Sequence, residues 1–174
     1  MRPPLELELP DEQNQPRLIR QERPTGRLTN TFAKWIHDLG PWTHAVTLTC
    51  KRTIGGGSPL TLPALLDISR HFLQRINYVC FRRRARRGHS VGCAASYGWG
   101  SYGDHPHLHF SLSAPSTMTY SEFSDLIDRA ASQMALVGEQ RVIKPYRDHG
   151  WPKYLVEHGT DHVILELLRP PRPN

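Results

Sequence analysis

At 174 residues, 38% of them hydrophobic, the chain can fill one core with tails to spare, and it holds too little apolar material for a second, motor-like domain. No stretch approaches the roughly 18–20 apolar residues of a membrane span, and the opening MRPPLELELPDEQNQP lacks the apolar run of a secretory signal, so a cytoplasmic protein without membrane contact is expected. Lys and Arg together number 22 against 16 Asp and Glu, a net charge of +6, which points to a polyanionic partner.

Residues 1–27 are rich in proline and charge with little periodicity and read as a flexible tail. From Leu28 to Leu39 a short helix is expected, with Leu28, Phe32, Trp35, Ile36 and Leu39 on one face. Trp42 to Cys50 is β-branched and reads as a strand, followed by a turn at Gly55 to Pro59. Leu62, Leu65, Leu66, Ser69, Phe72, Leu73, Ile76 and Val79 repeat at helical spacing, with Pro63 tolerated in the first turn. Five arginines then fall within six positions: Arg82, Arg83, Arg84, Arg86 and Arg87. Such a run is either a solvated loop or a phosphate contact, since the guanidinium fork matches phosphate oxygens.

Val91 to Trp99 and Pro106 to Ser113 read as strands joined by a hairpin connection at Gly100 to Gly103. Thr119 and Glu122 form a capping-box pattern, opening a helix that buries Phe123, Leu126, Ile127, Ala130, Met134 and Val137. A strand over Gln140 to Arg147, a short helix over Trp151 to His158 and a closing strand over Val163 to Leu168 complete the pattern, with residues 169–174 as a disordered tail. The order β-α-β-β-α-β is that of a ferredoxin-like (split βαβ) α+β fold. Its antiparallel sheet has the first and third strands at the centre and helices on one face, with an added tyrosine-bearing helix. The odd cysteine count (Cys50, Cys80, Cys93), without C-x-x-C spacing, argues against a disulfide framework or a thiolate zinc site and reads as small buried hydrophobes.

Asp104-His-Pro-His-Leu-His-Phe110 carries chemistry. Alternate side chains of a strand share a face, so His105, His107 and His109 point one way while Leu108 and Phe110 enter the core. Two imidazoles on a rigid strand can share a metal ion, although a lone H-x-H pair is common by chance and also fits a solvated face. Downstream, Tyr154 on a helix shares its face with Glu157 and His158, one of which can supply a further ligand. Tyrosine near a metal suits phosphoryl transfer, and a tyrosine that only packs the helix on the sheet remains the alternative.

Val46-Thr-Leu-Thr49, Pro106-His-Leu-His109 and Lys153-Tyr-Leu-Val-Glu-His-Gly159 together resemble the motifs of the HUH endonuclease superfamily, in the order typical of replication initiators. That superfamily includes rolling-circle replication initiators, plasmid relaxases and single-tyrosine transposases, and the similarity covers about residues 42–168 of a nuclease domain spanning 28–168. The resemblance implies that Tyr154 attacks single-stranded DNA, forms a 5′-phosphotyrosyl link and frees a 3′-hydroxyl. It implies His107 and His109 as ligands of one Mg²⁺ or Mn²⁺, with no nucleotide. His158 is the preferred third ligand, then Glu157, then Asp104. Ser96 stands where many initiators have an acidic ligand, and Glu157 and His158 stand where they have a lysine.

Lys51, Arg52, the five arginines and Lys153 are candidate DNA contacts, and Trp99 and Tyr102 candidate stacking platforms. No G-x-x-x-x-G-K-[ST] loop is present, so a separate helicase is expected at an origin carrying single-stranded or hairpin DNA. The implied setting is a plasmid- or phage-type element in a prokaryotic cell. A non-catalytic single-strand-binding module and a phosphodiesterase with a water nucleophile are the competing readings.

Overall fold

The computed structural model describes residues 26–100, 105–147, 150–157 and 159–171. The expected N-terminal tail up to residue 25 and the last three residues lie outside that set. Eight elements follow in order: α1 (Gly26–Asp38), β1 (His44–Cys50), α2 (Leu62–Phe81), β2 (Gly92–Gly98), β3 (His107–Ser113), α3 (Tyr120–Ser132), β4 (Val137–Pro145) and α4 (Gly150–Leu155). The strands form one antiparallel sheet in the order β2-β3-β1-β4. This α+β arrangement is ferredoxin-like, with β1 and β3 central as the β-α-β-β-α-β order requires.

The period-two pattern of the strands sorts their side chains into two faces. Val46, Leu48, Leu108, Phe110 and Leu112 turn to one side and are fully buried beneath α2 and α3, against Leu65, Phe72, Ile76, Phe123 and Ile127. The Phe72 and Phe110 rings meet at 4.9 Å. Thr61 accepts from the Ala64 amide to open α2, with Pro63 in the first turn, where its missing N–H costs nothing. Thr119 and Glu122 make the expected capping box of α3. Cys50 and Cys93 sit in this core, and burial pushes the Cys50 thiol up to about 12.

A smaller apolar cluster covers part of the opposite face. It joins Ala33 and Ile36 of α1 to Ala94 of β2 and to Leu155, Val156 and Val163 around α4. This cluster brings α4, and the tyrosine on it, over the odd-numbered residues of β3. The Trp151 indole N–H reaches the Phe110 carbonyl at 3.3 Å and ties α4 to that strand.

Four boundaries differ from the sequence expectation. The helix expected over Trp151 to His158 ends at Leu155, and Val156 and Glu157 continue as a tight turn whose amides bond to Lys153 and Tyr154 carbonyls. Val163 to Leu168 is not a strand. The segment crosses the open edge of β2 by isolated bridges, Ser96 to Val163 and Cys93 to Arg169, and bulges between them in a 3₁₀ turn at Leu165–Leu167. Arg169, assigned to the tail, exchanges two backbone hydrogen bonds of 2.7 Å with Cys93. Val137 opens β4 rather than closing α3, and in α1 it is Ala33 and Ile36 that are buried while Leu28 and Trp35 are exposed. Among the described residues no helix is long and apolar enough to cross a membrane.

Candidate active site

Register builds the site. Thr47 of β1 and Ser96 of β2 both pair with His109 of β3, and Thr49 and Gly98 both pair with His107. Both histidines therefore stand on the sheet face away from α2 and α3, flanked by hydroxyls in the same rows. His107 is half-buried at the end of its strand, whereas His109 is 1% exposed. Their ring centroids are 4.6 Å apart. Tyr154 of α4 meets the His109 ring edge-on at 4.7 Å, and Trp151 packs at 5.8 Å from the same imidazole. The His109 ring therefore touches both of the other groups that the sequence singled out, His107 and Tyr154. The exposed side of Tyr154 opens into a cleft of about 420 Å³ between α1 and α4, shared with Thr29, Asn30, Lys153 and Glu157.

The ring nitrogens are held in an informative way. His107 Nδ1 donates to the His105 carbonyl at 2.7 Å, and because a carbonyl only accepts, the neutral ring carries its lone pair on Nε2. His109 Nδ1 lies 3.0 Å from the Thr47 hydroxyl, which can accept its proton and fix the same tautomer. An Nδ1 anchored by a backbone or side-chain acceptor, with Nε2 directed elsewhere, is how imidazoles are prepared to ligate a metal. The pair therefore fits a shared divalent ion as two of its ligands.

Among the described residues no group of three His, Cys, Asp or Glu side chains could hold a metal ion. Glu157, expected beside the pair, is exposed past the end of α4 and lines the α1 side of Tyr154 instead. The shortened helix explains this, since the residue follows a turn rather than the next helical position. His158 and Asp104 lie outside the described residues, as does Tyr102. Ser96, which occupies the row of His109, is 1% exposed, and its hydroxyl is buried without a hydrogen-bond partner among the described residues.

The expected DNA contacts divide into two groups. Lys51 and Arg52 follow β1 at the His107 end of the sheet, and Nη2 of the Arg52 guanidinium lies 2.9 Å from Nε2 of the exposed His105 ring. Lys153 is exposed next to Tyr154, and Lys144 of β4 stands on the same sheet face. By contrast, the five arginines form an exposed 3₁₀ turn, Arg82–Arg87, at the other end of β2. Trp99 is not a free stacking platform: it is half-buried against the core cluster under α2 and α3, beside Tyr97. The strand alternation that turns the histidines outward turns these aromatics the other way.

Thr47 and Trp151 are the functional neighbours whose roles sequence reasoning did not single out. Thr47 was legible in principle, because antiparallel pairing of the first and third strands must set some hydroxyl of Thr47 or Thr49 beside each histidine. No protein-family model, curated protein or solved structure matches the chain.

Proposed function

We propose that this chain nicks and rejoins single-stranded DNA as an HUH-type endonuclease, most plainly as a rolling-circle replication initiator. Plasmid mobilisation relaxase and single-tyrosine transposase are the neighbouring alternatives. The observation that carries the reading is the continuous contact of His107, His109 and Tyr154, from two separate motifs on two elements, on one face of the sheet.

His107 and His109 would hold Mg²⁺ or Mn²⁺ through their Nε2 atoms. When bound, the ion polarises a scissile phosphate and offsets the charge that develops on it. The chain's own residues supply the rest. Tyr154, 42% exposed at the cleft, offers its phenol to a phosphodiester laid across the sheet face. Its oxygen bonds to phosphorus as its proton passes to solvent, and the bond from phosphorus to the 3′-oxygen breaks. That oxygen takes up a proton and leaves as a 3′-hydroxyl. One phosphodiester replaces another, so the reverse step reseals the strand and no nucleotide is needed. Lys51, Arg52, Lys144 and Lys153 supply positive charge around the phosphate path. Trp151 holds the tyrosine helix on β3.

The competing reading is a single-strand-binding module without catalysis, which the same basic sheet face would serve. Strand scission separates the two. A labelled single-stranded oligonucleotide incubated with the protein and Mn²⁺ should be cut, and the cutting should stop on addition of chelator and in Tyr154→Phe. Binding without scission, insensitive to both changes, would leave the module reading in place.

A further inference from the structure

The cleft beside Tyr154 has polar walls that the nicking chemistry does not use. It lies between α1 and α4, with Thr29 and Asn30 on the α1 side and Lys153, Tyr154 and Glu157 on the other. α1 precedes residue 42, where the resemblance to the HUH motifs begins, so the wall it supplies lies outside that resemblance. Ala33 and Ile36 of α1 are buried in one cluster with Leu155 and Val156. Asn30 stands one helical turn before Ala33, and Glu157 directly follows Val156, so this shared packing sets both edges of the cleft.

Its chemistry is that of a base pocket rather than a phosphate path. Among the described residues the Glu157 carboxylate forms no ion pair and the Asn30 amide makes no side-chain hydrogen bond. A carboxylate repels phosphate, so the cleft does not carry the sugar–phosphate backbone onward from Tyr154. Its volume of about 420 Å³ falls within the roughly 300–1,000 Å³ of small-ligand clefts. A phosphate held at the phenol leaves the neighbouring base of the same strand within reach of it.

The donor set also selects among bases. An unpaired base offers its Watson–Crick edge to protein. A carboxylate has two oxygens and accepts best from two N–H groups side by side. Guanine alone has such a pair on that edge, N1–H and the 2-amino group, next to the O6 acceptor. Cytosine and adenine each place one amino group beside a ring acceptor, whose lone pair would face the second carboxylate oxygen. The single N3–H of thymine lies between two carbonyls. We propose that the α1–α4 cleft reads a guanine next to the scissile phosphate, Glu157 accepting from N1–H and the 2-amino group and Asn30 donating to O6. The proposal rests on the reading of Tyr154 as the nicking residue.

The full chain is titrated against short thymidine oligonucleotides carrying one central guanine, hypoxanthine, adenine or cytosine. Binding is followed by fluorescence polarisation, with chelator present so that no strand is cut. The guanine strand should bind roughly tenfold tighter than the adenine or cytosine strand, as a two-point base contact discriminates. Hypoxanthine, which lacks only the 2-amino group, should lose most of that advantage. Glu157→Gln should bring the four affinities to within about twofold of one another, and Asn30→Ala should narrow them. Both side chains are exposed, so neither change threatens the core. Equal binding of all four strands by the parent chain overturns the proposal. So does preference for another base, or a guanine preference that survives Glu157→Gln. A preference that Glu157→Gln abolishes, in a chain that never cuts DNA with Mn²⁺, leaves the pocket standing and overturns the nickase reading. Cutting without base preference does the reverse.

Discussion

The Tyr154 phenol ring meets the His109 imidazole edge-on, with centroids 4.7 Å apart and planes at 69°. That contact joins a short helix near the end of the chain to a central strand, and it makes the tyrosine's role separable from its packing. Phenylalanine keeps the ring and removes only the oxygen. Tyr154→Phe should therefore fold with an unchanged melting temperature, within a few degrees, bind single-stranded DNA normally, and lose strand scission by at least roughly a thousandfold. Melting curves and a gel-based cleavage assay on the same preparation check it.

Thr47 tests the preparation of His109. Thr47→Val keeps the shape of the side chain while removing the hydroxyl 3.0 Å from Nδ1. The half-saturating Mn²⁺ concentration for cleavage should rise by roughly tenfold, as expected when the acceptor behind a ligating imidazole is lost. Maximal cleavage at saturating metal should change much less. An unchanged metal titration would mean that the hydroxyl does not hold the ring.

Trp151 tests whether α4 must be held against β3. Trp151→Phe retains an aromatic contact with His109 but deletes the bond to the Phe110 carbonyl, costing about 1 kcal/mol. Trp151→Ala removes both, and should lower cleavage more than it lowers binding of single strands, because the tyrosine helix is loosened while the basic residues remain. Parallel cleavage and binding assays distinguish the two effects.

His44 makes the fold acid-sensitive independently of the site. Its ring is fully buried between Tyr120, stacked at 4.2 Å, and the edge of Phe123. Burial holds its pKa below the ordinary 6.5, partly opposed by the Tyr120 carbonyl. The native state therefore resists a proton that the unfolded chain accepts. Stability from this group is complete above pH 6.5 and declines as pH falls from there toward the lower native value. Thermal midpoints measured between pH 5 and 8 should drop on the acid side, and His44→Gln should flatten that slope even if it is less stable throughout.

Much of the scaffold was legible because it depends on local periodicity. The alternation of Val46, Leu48, Leu108 and Phe110 fixed which face meets the helices, and the same alternation turned His107 and His109 outward. Thr119 and Glu122 announced the start of α3. What escaped was set by tertiary pairing. Val163 to Leu168 has the composition of a strand, yet it lies along β2 by only two bridges and bulges between them. Trp99 looked available to DNA because nothing in its spacing says which side of an edge strand faces the core. The arginine run reads as part of the site in one dimension. Only the antiparallel pairing of β2 with β3 carries it to the opposite end of the sheet.

The central claim is that the phenol of Tyr154 becomes joined to DNA. The direct measurement is mass-spectrometric mapping of the conjugate formed after incubation with single-stranded DNA and Mn²⁺, followed by nuclease and protease digestion. A nucleotide attached through its 5′-phosphate to the peptide containing Tyr154 is the predicted result. Cut DNA with no protein attached, or attachment at any other residue, would contradict it.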